Sequence, residues 1–165
     1  MEMGQIEEKL NKEINQFLHQ NGIRGLLPEK KRKITYEDFL EDKMLIITAI
    51  RAGIPYTVFN LIRDYTPFSE NDWAGFLDIS TKSLQRYKTS PDHQFKPSHS
   101  EKIIEIAEVT KLGLDVFEDM DKFKLWLNTP NFALGRMKPI ELLRDSYGKE
   151  MIIGELTRID YGILA

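Results

Sequence analysis

The chain has 165 residues, of which 41% are hydrophobic and 30% charged, the balance of a protein that buries a core rather than of a disordered one. Its formal net charge is −3, so a nucleic-acid site has to be a local basic patch rather than a property of the whole molecule. Cysteine is absent, which excludes disulfides, thiol nucleophiles, zinc fingers and iron–sulfur clusters together. No run of about 18 apolar residues occurs, so no transmembrane helix is expected. The charged N-terminal stretch lacks the apolar middle of a signal peptide, and a cytoplasmic location is expected.

Taken in chain order, Ile6, Leu10, Ile14, Phe17 and Leu18 recur at helical spacing and predict an amphipathic helix that stops at Asn21-Gly22. That helix either folds over its own domain or forms part of a dimer surface. Residues 22–34 read as a connector carrying Lys30, Lys31, Arg32 and Lys33, a solvated basic linker or, in a sharper reading, a phosphate-contacting arm. Thr35, with Asp38 three residues on, predicts a capped helix over 36–52 that Gly53 stops. Pro55 opens a short helix through Tyr65.

The segment from Phe68 to Lys88 has the anatomy of a helix-turn-helix. Ser69 and Asp72 suit a capping box, Trp73, Phe76 and Leu77 line one apolar face, and Asp78-Ile79 makes a tight turn. Ser80 then caps a second helix whose Leu84 faces inward. Its outward positions are Thr81, Lys82, Ser83, Gln85, Arg86 and Lys88, all hydrogen-bond donors and none acidic. In such a motif the second helix enters the major groove, where Arg pairs with guanine and Gln with adenine. Residues 80–88 carry a charge of +3, whereas residues 98–122 set three lysines against seven acids, a charge of −4. Such a distribution fits one basic helix presented to DNA by an otherwise acidic chain.

Beyond a loop over 89–100, a helix over about 101–112 ends at Gly113, a second covers 115–127, and 131–139 is again loop. Two last helices, about 139–144 and 147–161, end at Gly162. Trp126, Leu142, Leu143 and Ile152 are expected in the core. Strand-like alternation never persists, so the fold class is all-α.

Residues 126–165 resemble the C-terminal toxin-binding domain of the Xre/MbcA/ParS antitoxins of bacterial type II toxin–antitoxin systems. The matching elements are Trp126-Leu127, Thr129-Pro130-Asn131, Ala133-Leu134-Gly135, Pro139, Leu142-Leu143, Gly148, the run Ile153 to Ile159, and Tyr161-Gly162. Gly53-Ile54-Pro55 and Ser83-Leu84-Gln85-Arg86 are similar to that family's helix-turn-helix region. The likeness covers roughly residues 40–165. Two departures fall in the loop: Arg136 stands where the family often has a second glycine, and Met137-Lys138 replaces an Arg-Thr type pair.

The resemblance implies an Xre-like helix-turn-helix domain (36–122) and a small helical toxin-binding domain (123–165); the N-terminal helix and basic linker (1–35) precede them and fall outside it. It further implies a cognate toxin as partner, most often a RES-domain protein that consumes NAD⁺, together with operator DNA and a homodimer. On that reading Asn131, Arg136, Lys138, Arg144, Arg158 and the tail Tyr161, Gly162, Ile163, Leu164 and Ala165 face the toxin. The alternative is a stand-alone helix-turn-helix transcriptional regulator without a toxin. No catalytic residue, metal site or cofactor is expected: His19, His93 and His99 match no zinc spacing, and no nucleotide-binding loop or nucleophile elbow is present.

Overall fold

Capping and apolar spacing together divide the chain into ten α-helices within the described part of a computed structural model, residues 2–23 and 33–162. They are α1 (Met3–Gln20), α2 (Tyr36–Glu41), α3 (Lys43–Ala52), α4 (Tyr56–Asp64), α5 (Glu70–Leu77), α6 (Thr81–Lys88), α7 (Pro97–Phe117), α8 (Met120–Leu127), α9 (Pro139–Leu142) and α10 (Ser146–Asp160). Only two isolated β-bridges and no strand occur among the described residues, so the fold is all-α. No helix among them is long and apolar enough to cross a membrane.

The fold separates into two units, Met1–Tyr65 with Ile79–Ile104, and Thr66–Asp78 with Glu105–Ala165. In the first, α1 buries Ile6, Leu10, Ile14, Phe17 and Leu18, and it packs on α4 and α2. The apolar face of α1 is therefore covered by its own unit. Two asparagines on α1 reinforce this. The Ile34 amide donates to Asn15 Oδ1 (3.1 Å), Asn15 Nδ2 donates to the Ile34 carbonyl (2.7 Å), and the Tyr36 amide donates to Asn11 Oδ1 (2.6 Å). The chain returning from the linker is thus held against α1. Residues 24–32, which include Lys30, Lys31 and Arg32, lie outside the described residues.

Thr35 and Asp38 form the expected capping box, but the helix they start is broken. Asp42 adopts extended dihedrals (φ −103°, ψ 99°), and its carboxylate accepts from the Met44 and Leu45 amides to start α3. A side chain that caps a helix competes with the helix passing through it, which is why one predicted helix becomes two. Gly53 ends α3 at φ 92°, where the Phe95 carbonyl would lie 2.8 Å from any Cβ.

Helix α7 starts at Pro97, four positions before the predicted start, because proline suits a first helical turn. It also runs past Gly113. That glycine is no helix stop; the Phe123 ring occupies the space its Cβ would need. Glu118, at φ 58°, follows the true end of the helix, and Asp119 caps α8. Gly148 in α10 allows the same kind of approach, here by the Leu142 carbonyl. Leu143 and Ile152 are fully buried, as expected. Trp126 and Leu142 are only partly buried, and the Trp126 ring lies on those of Phe117 and Phe123.

Candidate functional site

The helix-turn-helix segment is built as its sequence dictates. Ser69 accepts from the Asp72 amide and Asp72 accepts from the Ser69 amide, so α5 begins with a complete capping box. Trp73, Phe76 and Leu77 are buried on one face, with Phe68 edge-on to Trp73 and Phe76. Asp78 then turns the chain in the left-handed region (φ 53°, ψ 47°), which aspartate tolerates better than most residues. Two residues later Ser80 Oγ accepts from the Ser83 amide at 3.0 Å and starts α6.

On α6 a single residue, Leu84, is buried. Lys82, Gln85, Arg86 and Lys88 are exposed, and Thr81 and Ser83 are half-buried in the first turn. Lys82, Arg86 and Lys88 make no ion pair with a described residue, so the three charges are available to a ligand. The predicted set therefore lies together on one short helix.

The last turn of α6 is anchored by aromatic rings. Tyr87 stacks on His93 with centroids 3.7 Å apart and planes within 10°, and Phe95 meets both edge-on. The loop carrying His93 is tied to the start of α4 by the Tyr56 amide on the His93 carbonyl (2.9 Å) and the Phe95 amide on the Ile54 carbonyl (2.9 Å). Buried Ser100 completes the joint, accepting from the Ile54 amide and donating to the Phe95 carbonyl.

Burial holds the His93 imidazole below its ordinary pKa of 6.5, and its Nε2 has no hydrogen-bond partner among the described residues. The unfolded chain takes up this proton near pH 6.5 and the folded chain only at lower pH, so folding stability falls as pH drops from about 6.5 through the folded value. Urea unfolding of wild type and His93→Phe at pH 7.5 and 5.5 checks this. The wild type is expected to lose more stability between the two than the variant, which keeps the ring and lacks the proton site.

In the C-terminal region, residues 131–137 form a closed turn rather than an open loop. The Asn131 amide donates to the Met137 carbonyl (3.0 Å), the Arg136 amide donates back to the Asn131 carbonyl (2.8 Å), and Asn131 Oδ1 accepts from the Ala133 amide. Gly135 and Arg136 both have positive φ, 69° and 64°. Position 136 thus has the backbone that suits the family's second glycine, and an L-residue there costs on the order of 1 kcal/mol. The Arg136 guanidinium sits 5.7 Å from the centroid of the exposed Phe132 ring.

Lys138 and Arg144 line one cleft of about 490 Å³ with Asp72, Phe76, Asn128, Ile140 and Glu141. The Arg144 guanidinium covers the Cα of Gly75. Arg158 and Tyr161 lie elsewhere, on and just beyond the end of α10; Arg158 pairs with Glu155 (3.4 Å) and Tyr161 is exposed. Gly162 turns at φ 69°, and Ile163, Leu164 and Ala165 lie outside the described residues. The predicted toxin-facing set is thus distributed over a turn, a cleft and a helix face. Sequence reasoning missed the exposed apolar side chains beside it: Leu125, Phe132, Met137, Tyr147 and Met151. Only Tyr147 and Met151 had a legible signal, their four-residue spacing on one side of α10.

Fold and surface together define an all-helical helix-turn-helix protein with a second, C-terminal helical domain. Residues 45–108 match the family model of the antitoxin Xre-like helix-turn-helix domain, and residues 112–162 match that of the antitoxin Xre/MbcA/ParS C-terminal toxin-binding domain. The chain belongs to the Xre/MbcA/ParS antitoxins. A chain in the crystal structure of the M. tuberculosis MbcT-MbcA toxin-antitoxin complex is similar in fold, with a TM-score of 0.51 at 20% identity over 65% of this chain and 94% of that one. No curated protein matches this chain in sequence.

Proposed function

We propose that this antitoxin neutralises a cognate RES-domain, NAD⁺-consuming toxin in the cytoplasm and, as a DNA-binding dimer, represses its own operon. The observation that carries the reading is the outward array of Lys82, Gln85, Arg86 and Lys88 on a chain that also has a toxin-binding domain. Thr81 and Ser83 add hydroxyls at the N-terminal end of the same helix, where a groove-bound helix meets base edges and phosphates. The second domain has the surface of a binding module. Among the described residues, six of the nine exposed large hydrophobics belong to it: Leu125, Phe132, Met137, Tyr147, Met151 and Tyr161. Exposed aromatic and methionine side chains are the usual anchors of a protein interface.

On this reading Asn131 shapes the turn that presents Phe132 and Arg136, Lys138 and Arg144 offer cations from the cleft, and Arg158 with the tail from Tyr161 to Ala165 completes the contact. Neutralisation needs no catalytic step by the antitoxin; covering the toxin's cleft is sufficient, and neither a cofactor nor a metal takes part.

Co-expression with the product of the adjacent gene tests this. The two proteins are expected to co-purify and the antitoxin to protect cells. Deleting residues 161–165 is expected to weaken toxin binding while operator binding persists in a gel-shift titration. Full protection by the truncated chain would remove the tail from the mechanism. Operator binding without any co-purifying neighbour would instead support a stand-alone transcriptional regulator.

A further inference from the structure

We infer that the outward face of α10 pairs antiparallel with the same face of a second copy of this chain. Tyr147, Met151, Gly154, Arg158 and Tyr161 recur at alternating intervals of four and three, which places them along one side of the helix. Tyr147 is 82% exposed, Met151 47% and Tyr161 76%. Buried Ile152 and Leu156 face the other way, into the unit.

Gly154 sits at the centre of this stripe and has no neighbour that needs it. A Cβ there would meet nothing within 4 Å, whereas Gly75, Gly113 and Gly148 each lie against Arg144, Phe123 or Leu142. A glycine inside a helix costs about 1 kcal/mol relative to alanine. Its missing side chain leaves room for a backbone from outside the protomer.

The order of residues around Gly154 selects the partner. In an antiparallel pair centred on Gly154, Tyr147 lies level with the partner's Tyr161, and Glu150 lies level with the partner's Arg158. Met151 lies level with the partner's Thr157. Each match occurs twice by symmetry, the requirement of a twofold interface. Glu150 is exposed and without an ion pair among the described residues, and Arg158 is partly exposed beside Glu155. A parallel pair would instead set Glu150 against Glu150 and Arg158 against Arg158, which like-charge repulsion disfavours. The contact runs along one helix, ~21 Å at 1.5 Å per residue, so it belongs at the small end of interfaces and associates in the micromolar range. Arg158 and Tyr161 also belong to the surface assigned above to the toxin. The pairing therefore describes the antitoxin without its toxin, and it stands or falls independently of that assignment.

Sedimentation velocity of the full chain over ~1–100 µM tests it. The wild-type mass is expected to rise from the 19.3 kDa of the monomer towards twice that value. Glu150→Arg and Arg158→Glu should each weaken dimerisation about tenfold, and their combination should recover it, because the pair is restored in reversed sense. Gly154→Trp should keep the wild-type circular dichroism and melt no lower than the dilute wild type yet stay monomeric, and Tyr161→Ser should weaken the dimer from the end of the stripe. A wild type that stays monomeric throughout overturns the inference. So does a dimer that tolerates both Gly154→Trp and Tyr161→Ser, which would place the contact elsewhere, or a charge-reversed pair that fails to recover.

Discussion

Gly148→Ala is expected to destabilise the protein by about 3 kcal/mol, whereas Gly154→Ala in the same helix is expected to stabilise it by up to ~1 kcal/mol. The two glycines share α10 and differ only in what faces them. At Gly148 an added methyl would overlap the Leu142 carbonyl, a backbone atom that cannot swing away, and would press on Leu142 Cβ as well. Overpacking against backbone has to move α9 or the start of α10. At Gly154 the added methyl reaches open space within the protomer, so at concentrations where the chain is monomeric the change acts mainly by reducing the freedom of the unfolded chain. Urea unfolding monitored by circular dichroism measures both. A Gly148→Ala midpoint equal to wild type would show that the close approach of Leu142 is not maintained in solution.

Arg86→Ala is expected to weaken operator binding by ~1–3 kcal/mol, roughly five- to 150-fold, and to relax specificity at one base pair. Arg86 is exposed on α6 and lies beside the ring of Tyr87, with its guanidinium carbon 5.9 Å from the centroid, so the stem is partly organised before binding. Lys82→Ala and Lys88→Ala should behave differently. Point charges that meet phosphates weaken binding to all sequences alike and lower its salt dependence. Gel-shift titrations at two salt concentrations, with operator and unrelated DNA, separate the two patterns. Equal loss on both DNAs for Arg86→Ala would make it a phosphate contact.

Much of this was legible in the residues. The capping boxes at Thr35 and Ser69, the cap at Ser80 and the turn at Asp78 each depend on atoms within three or four positions, so spacing alone revealed them. The buried stripe of α1 and the exposed polar face of α6 follow from helical periodicity in the same way. The errors were of a different kind. By local habit Gly113 is a helix stop and Asp42 a helical residue. The packing of Phe123 and the capping of α3 decided otherwise. Composition predicts only a loop over 131–139; the turn that closes 131–137 depends on two bridging hydrogen bonds between residues whose types announce no strand.

Local chemistry thus settled the all-helical class, most helix boundaries and the donor-rich face of α6, since each of these closes within a turn or two of chain. Three features needed the folded molecule: the covered face of α1, the grouping of Thr66–Asp78 with the C-terminal half, and the cleft that brings Lys138 and Arg144 alongside Asp72. These depend on contacts between residues far apart in the chain, and which distant surfaces meet is decided by how all the apolar faces can be buried at once.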